Sequence, residues 1–415
     1  MEELSPLLLD VFREALLKGS LPPTLRDSVI SLILKKGKDP LDCKSYRPIS
    51  LIGCECKILA KILAARLNEV ITYLIHQDQV GFIRTRNSAD NFRRLINIMW
   101  VLRNSNDPAA ALSLDAEKAF DRVEWHFLFA TLENFKFGAK FISWIKLLYA
   151  LPKASVVSNG VISQPFELAR GTKQGCPLSP LLFAIALEPL AAAIRRDPNF
   201  PGIQIGDSTH KVMMYADDTL VFITDPERSV PALFDNIRLF SRLSGYKVNW
   251  SKSEALPLTA FCPKNLFPGD FVWPSIGIKY LGVLFPPQLS DLIRVNFEPL
   301  LDKFKSDIER WSPLYLSLWG KANVIKMNCA PKFNYILQSR PVKIPLKYFK
   351  QFDRLCNKFL WNGRRPRLNL KKLQRPVDQG GLGIPNLLLY YYAFGLRALG
   401  PLVIAPRAGT SLVPY

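Results

Sequence analysis

The feature of this chain that most restricts its fold is a pair of adjacent acids between two apolar segments. Residues 212–223 read VMMYADDTLVFI, so Asp217 and Asp218 separate two short runs that are typical of buried strands. Two such runs around a short polar tip predict a β-hairpin. Asp-Asp is also frequent in ordinary turns for backbone reasons alone. The hairpin by itself therefore leaves a catalytic tip and a plain turn equally open.

A third acid stands in a similar position. Residues 111–115, ALSLD, predict a short buried strand that ends at Asp115, followed by a helix through about residue 135. Carboxylates at the ends of adjacent buried strands repel each other unless a cation lies between them. Oxygen donors without neighbouring His or Cys favour Mg²⁺ or Mn²⁺ over zinc. Two such ions about 3.5–4 Å apart support phosphoryl transfer to a 3′ hydroxyl, which is the chemistry of a polymerase.

The charge of the chain indicates a polyanionic partner. The 415 residues are 48% hydrophobic and carry 55 Lys and Arg against 35 Asp and Glu, a formal net charge of +20. A folded chain of two or three domains with this excess suits nucleic acid better than a membrane surface. Residues 301–375, the basic segment, hold 18 Lys and Arg, 4 Asp and Glu, and several aromatics. Solvated faces of amphipathic helices are the alternative explanation of this segment.

Several protein classes are disfavoured. The histidines are only three and far apart (His76, His126 and His210), which argues against a His-rich metal site or a Ser-His-Asp hydrolase. Seven cysteines without a C-x-x-C pair predict reduced thiols in an intracellular protein. The first 20 residues lack a secretory pattern. The apolar stretch 380–405 is interrupted by Pro385, Asn386, Arg397 and Pro401, which argues against a membrane-spanning helix.

Other local patterns indicate an α+β chain. Residues 27–34 predict a strand followed by a basic turn at 35–38, and apolar spacing over 56–75 predicts a helix. Ser179 and Pro180 predict a helix start with serine at the N-cap, and Pro189 predicts a bend in that helix.

The segments around these acids follow one another in a recognisable order. They are YRPISL (46–51), DQVGFIRTRNSADN (78–91), SLDAEKAFDRVEW (113–125), GTKQGCPLSPLLFAIALEPL (171–190), YADD (215–218), SGYKVNWSKSE (244–254) and KYLGVLF (279–285). Together they closely resemble the reverse transcriptases of non-LTR retrotransposons of the LINE type. The resemblance covers residues from about 20 to 400.

This resemblance implies a right-hand polymerase fold with fingers, an antiparallel-sheet palm and a helical thumb. The implied divisions are a helical lead-in at 1–20, fingers with part of the palm at 21–110, and a palm with the catalytic motifs and a primer-grip hairpin at 111–285. A basic helical thumb and extension follow at 286–375, and a C-terminal extension of unknown role at 376–415.

The resemblance also assigns the metal ligands and the catalytic acids. Asp115, Asp217 and Asp218 match the family's three catalytic carboxylates, and the backbone carbonyl of Ala116 is a further ligand of two Mg²⁺ ions. Lys247 or Lys252 is a candidate general acid for the pyrophosphate, and the two remain equal alternatives.

Five further residues match positions that surround the incoming nucleotide. Phe120 would exclude a 2′ hydroxyl by bulk, with an ordinary core phenylalanine as the alternative. Gln174 and Gly175 would lie against the templating base and the nucleotide, and Lys35 and Arg47 would meet the triphosphate. Solvated surface charge is the alternative for the two cations.

Six residues match template and primer contacts. The template-side positions are Gln79, Gly81 and Arg86, and the primer-side positions are Tyr280, Leu281 and Gly282.

The resemblance implies RNA-directed DNA synthesis with an RNA template, a DNA primer or target and dNTPs, and no membrane. An upstream endonuclease and a downstream zinc knuckle are missing, so we expect a fragment or a truncated retrotransposon polyprotein. The alternatives are an inactive nucleic-acid-binding remnant and, disfavoured by Phe120, an RNA-directed RNA polymerase. Nuclear or cytoplasmic location and oligomeric state stay open.

Overall fold

The chain mixes helices and strands up to about residue 285 and is helical beyond it. A computed structural model describes residues 3–267, 271–338 and 343–404. Its helices, α1 to α15, are Leu4–Lys18, Pro23–Arg26, Cys54–Leu74, Ser88–Leu102, Ala119–Arg122, Trp125–Asn134, Ala139–Leu148, Ser179–Arg196, Pro226–Ser244, Leu292–Trp311, Leu318–Val324, Ala330–Gln338, Leu346–Leu360, Leu370–Leu373 and Leu387–Ile404. Its strands, β1 to β13, are Ser28–Leu34, Tyr46–Ile52, Ala109–Leu114, Lys153–Ser158, Val161–Ile162, Phe166–Glu167, Ile203–Ile205, Ser208–His210, Val212–Tyr215, Asp218–Thr224, Glu254–Pro257, Ile278–Tyr280 and Val283–Phe285.

The central sheet is antiparallel, with the strand order β11-β3-β10-β9. Side chains on a strand alternate between the two faces of a sheet. On β10, Val221 points to one hydrophobic core and Phe222 to another, and on β3 Leu112 and Ala111 divide in the same way. Both faces of the central sheet are therefore buried, which explains why its strands read as nearly continuous apolar runs.

The first core lies between the central sheet and α3, α6, α7, α8 and α9. Leu67 of α3, Leu128 of α6 and Ile185 of α8 are fully buried in it. Most of α8 is inaccessible to solvent, because apolar residues surround this helix on nearly every side. The first core thus fixes α8 against the sheet and, with it, the loop that leads into α8.

The second core covers the opposite face of the central sheet. It joins α4 and the β12–β13 hairpin to α10, α12 and α13. Phenylalanine rings form its centre: Phe333 lies 5.7 Å from Phe297 and 5.0 Å from Phe352, centroid to centroid. Aromatic pairs at these separations add to the burial of their apolar area. The helical region after residue 285 is therefore packed directly onto the sheet.

A side sheet has the order β2-β1-β4-β5, with β6 paired to β4. β1 runs antiparallel to β2 and parallel to β4. Residues 153–167, which fall in the predicted palm, thus share a sheet with residues 28–52 of the predicted fingers. The predicted domain boundaries stay predictions.

Most of the predicted elements are confirmed. They include the 212–223 hairpin, the strand at 27–34 and the helix at 56–75. The continuous helix predicted from Asp115 to about residue 135 is wrong, because α5 and α6 are separated at Val123 and Glu124. There the Val123 carbonyl accepts a hydrogen bond from the Gly171 amide at 2.8 Å. The Glu124 amide donates one to the Ser244 carbonyl at 2.9 Å. These tertiary hydrogen bonds take the backbone groups that would continue the helix.

The start of α8 differs from its prediction by one residue. Ser179 is the first helical residue and Leu178 the N-cap, which makes no side-chain capping bond. α8 continues through Pro189, and the bend predicted there stays a prediction.

The last helix runs through part of the apolar stretch 380–405. α15 runs from Leu387 to Ile404 and includes Arg397 and Pro401, so the interruption predicted at these two positions is wrong. Arginine is a good helix former, which explains why the helix continues through Arg397. Across the described ranges, no helix is both long and apolar enough to span a membrane. All seven cysteines are free thiols in the structure, as predicted.

Candidate active site

The three predicted catalytic acids come together at one end of the central sheet. Leu114, the last residue of β3, pairs with Thr219 of β10. Asp115 follows β3 directly and Asp218 begins β10, so these two acids occupy facing positions. Asp217 lies in the tight turn between β9 and β10. The strand register therefore converges three carboxylates that are separated by about a hundred residues in sequence.

Burial and mutual repulsion raise the pKa of these acids. Partial burial and then the charges of Asp217 and Asp115 raise the pKa of Asp218 to about 6. The pKa of Asp217 is raised by burial and by Asp115. Burial also raises the pKa of Asp115, while the charges of Lys252 and Lys35 oppose the rise. Within the described ranges none of the three carboxylates forms an ion pair.

The donor chemistry of the three acids fits a hard divalent cation. Among the residues that the structure describes, no group of three or more His, Cys, Asp or Glu side chains has the arrangement needed to hold a metal ion. The acids are nevertheless oxygen donors of one sign, clustered and without cationic partners in ion-pair contact. A divalent cation would relieve this repulsion, and oxygen donors suit Mg²⁺ or Mn²⁺.

The turn that carries Asp217 is held by residues from before α4. Ala216 has a left-handed backbone, φ +55°, which costs a non-glycine residue about 1–2 kcal/mol. Gln79 Oε1 accepts from the Ala216 amide at 2.9 Å, and Gln79 Nε2 donates to the Ala216 carbonyl at 3.2 Å. Gly81 packs so closely that a Cβ there would lie 2.2 Å from the Ala216 nitrogen. The surroundings thus determine the conformation of the turn.

The predicted template residues Gln79 and Arg86 both make internal contacts. Gln79 is only 1% exposed. Arg86 donates to the backbone carbonyls of Thr72, Ile75, His76 and Gln79 at 2.6–3.2 Å, which caps the C-terminal end of α3. The template contacts of these residues stay predictions.

Phe120, five residues after Asp115, lies in an aromatic stack. Its ring is 4.2 Å from that of Phe183 at an interplanar angle of 18°, and Phe82 meets it edge-on at 6.2 Å. The Phe120 carbonyl accepts from the backbone amide of Thr172 at 2.6 Å. Phe120 is half-buried, and its predicted contact with the sugar of the nucleotide stays a prediction.

The loop before α8 joins the side sheet to the active site. The Gln174 carbonyl accepts from the Ser50 amide of β2 at 2.7 Å. Gly175 has φ +114°, and a Cβ there would lie 2.5 Å from the Ser50 carbonyl oxygen. Only glycine satisfies both the backbone angle and the close approach. Gln174 and Gly175 therefore hold the loop against β2.

The predicted cations differ in their surroundings. Lys35 Nζ donates a hydrogen bond to the Lys44 carbonyl at 3.0 Å, and the charge of Lys35 lowers the pKa of Asp115. Arg47 is exposed on β2, opposite Ile33 of β1. The two general-acid candidates differ as well. The charge of Lys252 lowers the pKa of Asp115, whereas Lys247 Nζ forms an ion pair with Glu117 Oε2 at 3.3 Å.

The β12–β13 hairpin contains the predicted primer contacts. Leu281 and Gly282 form its turn, and both have positive φ. Tyr280 is buried, and its hydroxyl accepts from Asn91 Nδ2 at 2.9 Å, while the same amide donates to the Met214 carbonyl at 3.0 Å. Asn91 thus fixes this hairpin to β9, next to the catalytic turn.

One buried charged cluster escaped the sequence analysis. Asp78 accepts from Arg94 at 2.6 Å and from Arg195 at 3.1 Å, and His76 Nδ1 lies 2.9 Å from Asp78 Oδ2. Arg94 also contacts His210 Nδ1 at 2.9 Å, and Arg195 pairs with Glu188. Asp78 stands in the polar stretch HQDQ at 76–79, which gives no local sign of burial, and its arginine partners lie 16 and 117 residues away.

The fold and the acids define a right-hand polymerase. A four-stranded antiparallel sheet carries three carboxylates at one end, the loop before α8 ties this region to the five-stranded side sheet, and a helical region packs on one face of the central sheet. Residues 33–285 match the family model described as reverse transcriptase (RNA-dependent DNA polymerase). The chain belongs to the reverse transcriptase family, among the enzymes of non-LTR retrotransposons.

Relatives support this assignment. The chain is 31% identical over 399 residues to the Transposon TX1 uncharacterized 149 kDa protein of Xenopus laevis, covering 94% of this chain and 30% of that protein. It is 27% identical over 402 residues to the Pol polyprotein of the type-2 retrotransposable element R2DM of Drosophila melanogaster, covering 92% and 36%. The chain thus spans about a third of the length of these curated relatives.

A solved structure shares the fold. Telomerase from Candida tropicalis, in complex with a TWJ fragment of telomeric RNA, aligns with a TM-score of 0.50 and 13% identity. The alignment covers 98% of this chain and 66% of the telomerase chain.

Proposed function

We propose that this chain is an RNA-directed DNA polymerase that extends a 3′ hydroxyl with dNTPs. The convergence of Asp115, Asp217 and Asp218 at the end of the central sheet carries the proposal. Phe120 and the loop with Gln174 and Gly175 would form the pocket for an incoming deoxynucleotide, and the hydrogen bond from the Thr172 amide to the Phe120 carbonyl supports their joint role. An RNA template and a DNA primer or target are the partners that the family supports.

Two Mg²⁺ ions are the proposed cofactor, with Mn²⁺ as a substitute. Asp115, Asp217, Asp218 and the Ala116 carbonyl would hold them, and bound metal would activate the 3′ hydroxyl and stabilise the leaving pyrophosphate. The chain itself positions the nucleotide. Lys35 and Arg47 would meet the triphosphate, and Lys252, whose charge reaches Asp115, would supply a proton to the pyrophosphate.

The basic segment is the proposed grip for the duplex product. Its net positive charge lies on the helical region that packs against the central sheet. Phosphate contacts from Lys and Arg give affinity without reading sequence. A polymerase needs this kind of contact, because it must bind whatever product it has made.

Primer extension on an RNA template tests the proposal. We expect Mg²⁺-dependent DNA synthesis by the purified chain and a loss of about 10³-fold or more in Asp217→Asn, because the amide removes one negative ligand. Asp207→Asn, in the exposed turn between β7 and β8, is the matched control and should retain activity. Binding of the primer–template should survive in both variants.

The same assay identifies the alternative. A chain that binds RNA–DNA duplex but synthesises no DNA with either Mg²⁺ or Mn²⁺ would be the inactive nucleic-acid-binding remnant, and the proposal would then be wrong. Extension with ribonucleotides in preference to dNTPs would indicate RNA synthesis instead.

A further inference from the structure

Gln79 lies beneath the catalytic turn and contacts the turn through its side chain. Its amide makes three hydrogen bonds: Oε1 accepts from the backbone amides of Gly81 and Ala216, both at 2.9 Å, and Nε2 donates to the Ala216 carbonyl at 3.2 Å. The side chain therefore satisfies both backbone polar groups of Ala216. With an exposure of 1%, it has no route to a nucleic acid strand in this conformation.

The backbone on either side of Gln79 reinforces this contact. The Val80 amide donates to the Met214 carbonyl at 2.9 Å, and the Met214 amide donates to the Asp78 carbonyl at 2.8 Å. Residues 78–80 thus form an isolated parallel β-bridge to Met214 of β9. Gly81 then fits against the turn, where no Cβ has room. The turn is consequently enclosed by hydrogen bonds and by direct backbone packing.

Such an enclosure has a consequence for Asp217. Ala216 holds a left-handed backbone that alanine adopts at a cost, and it immediately precedes the acid. A strained conformation persists only where the surroundings over-determine it. Here Gln79 and Gly81 supply that constraint, so they also set the direction in which the Asp217 side chain leaves the turn.

We infer that Gln79 is a positioning residue, which fixes the Ala216 backbone so that Asp217 is presented to the active site, with Gly81 as its steric counterpart. This role differs from the template contact that the sequence predicts for Gln79. It rests on the proposed function only for its effect on catalysis, since the hydrogen bonds themselves can be tested without activity.

The decisive variant is Gln79→Met, which keeps the length of the side chain and removes its hydrogen bonds. Gln77→Met is the matched control, because Gln77 is exposed two residues away. We expect kcat for primer extension to fall by about 10–100-fold in Gln79→Met with little change in the Kd for the primer–template. A template contact would give the opposite result, a weaker Kd with kcat preserved at saturating primer–template.

Gly81→Ala tests the same inference by sterics alone. The new methyl group would meet the Ala216 nitrogen, so the turn must move, and kcat should fall as in Gln79→Met. Gly395→Ala is its control, because nothing lies within 4 Å of the position of that Cβ. Two chemically different changes that yield one kinetic defect would identify the turn as their common target.

Hydrogen exchange provides a readout that is independent of polymerase activity. We expect the Ala216 amide to exchange at least about tenfold faster in Gln79→Met than in the unaltered chain, with no change in Gln77→Met. Unfolding curves confirm that each variant is folded, and Gly81→Ala serves if Gln79→Met is not. An inactive parent chain would refute the proposed function while leaving the exchange test valid. Unchanged Ala216 exchange in a folded Gln79→Met variant, or unchanged kcat in both variants of an active enzyme, would overturn the inference.

Discussion

Phe120 is fixed in place by its aromatic neighbours. The stack on Phe183 and the edge contact with Phe82 restrict rotation of the ring. This packing makes Phe120 a rigid side chain and not a mobile one. Discrimination against a 2′ hydroxyl by bulk requires such rigidity, because a ring that could swing aside would admit both sugars.

We predict that Phe120→Val increases the use of ribonucleotides relative to deoxynucleotides by about 10–100-fold. Valine retains an apolar surface against Phe183 but removes the part of the ring that meets the sugar. The measurement is the ratio of kcat/KM for a ribonucleotide and its deoxynucleotide on one template. Phe129→Val, which removes a ring packed against Tyr149, should leave this ratio unchanged. An unchanged ratio in Phe120→Val would show that Phe120 is only a packing residue.

At the scale of elements, Arg86 links the end of α3 to the segment beneath the catalytic turn. Its guanidinium donates to four carbonyls, two of them from the last turn of α3 and its C-cap. The last carbonyls of a helix have no partner within the helix, so a bound cation there also complements the helix dipole. Arg86 therefore stabilises the junction in addition to any contact with template.

We predict that Arg86→Met lowers the free energy of unfolding by about 2–3 kcal/mol, because buried carbonyls lose a charged donor. Urea denaturation measures the change. Arg84→Met, at an exposed position two residues earlier, should shift the free energy by less than about 0.5 kcal/mol. Equal stability of the two variants would exclude the capping role.

The Asp78 cluster makes stability depend on pH. Burial and the charge of Arg94 lower the pKa of His210 to about 4, despite the opposing charge of Asp78. For Asp78, burial favours a higher pKa, but hydrogen bonds and charges from His76 and Arg94 outweigh burial and lower the pKa to about 2. Both folded-state pKa values lie below the ordinary ones, so the unfolded chain binds protons first as the pH falls. Stability is then lost in two windows, from about 6.5 to 4 for His210 and from about 3.8 to 2 for Asp78.

We predict that the free energy of unfolding falls by about 2 kcal/mol between pH 7 and pH 4 on account of His210. His210→Gln should flatten this dependence, since glutamine can accept from Arg94 and does not titrate. Urea denaturation at several pH values provides the measurement. His126→Gln, at an exposed position, should keep the slope of the unaltered chain. A slope that persists in His210→Gln would assign the pH dependence to other groups.

Local patterns revealed the elements, but not the contacts between them. The alternation around Asp217 and Asp218 was enough to predict a hairpin, because two-residue periodicity is written in consecutive residues. The break at Val123 and the ion pair of Asp78 with Arg195 arise from partners far away in the chain, 117 positions apart in the second case. No window of sequence contains both partners, so these features needed the fold.

The motif order predicted the site better than any single residue did. It placed Asp115 with Asp217 and Asp218, and the strand register brings these three together. It assigned Gln79 to the template, which stays a prediction, but it gave no sign of the hydrogen bonds between the Gln79 amide and Ala216. A motif identifies that a residue matters, but the partner of a buried amide depends on geometry that the motif does not encode.

At the scale of the whole molecule, part of the excess positive charge is exposed to solvent. The loop between α13 and α14 exposes Arg364, Arg365 and Arg367, within the basic segment. By contrast Lys321 of the same segment is buried and bonded to Asn362. Only part of the charge of the basic segment is therefore free to neutralise phosphates.

We predict that changing Arg364, Arg365 and Arg367 together to Gln weakens binding of RNA–DNA duplex equally for different sequences. The slope of log K against log salt concentration should decrease in magnitude by about 2–3, since each lost phosphate contact contributes about 0.9. Fluorescence anisotropy across a salt series measures the slope.

The control for this prediction removes the same charge elsewhere. Lys136, Lys140 and Lys146 are exposed on α7 and the turn before it, outside the basic segment, and their triple change to Gln should preserve the slope. Equal slopes in both triple variants would mean that the loop does not contact duplex.

The second core, which residues on both sides of position 285 share, also determines which part of the gene must be inherited together. The region that matches the family model stops at residue 285, yet Phe222, Tyr280 and Phe285 rest against helices that come after it. A gene segment that ended at residue 285 would encode a protein with one exposed apolar face. Such a face promotes aggregation. Recombination that exchanges such enzymes between elements must therefore include the helices after residue 285, even though these helices lie outside the region that matches the family model.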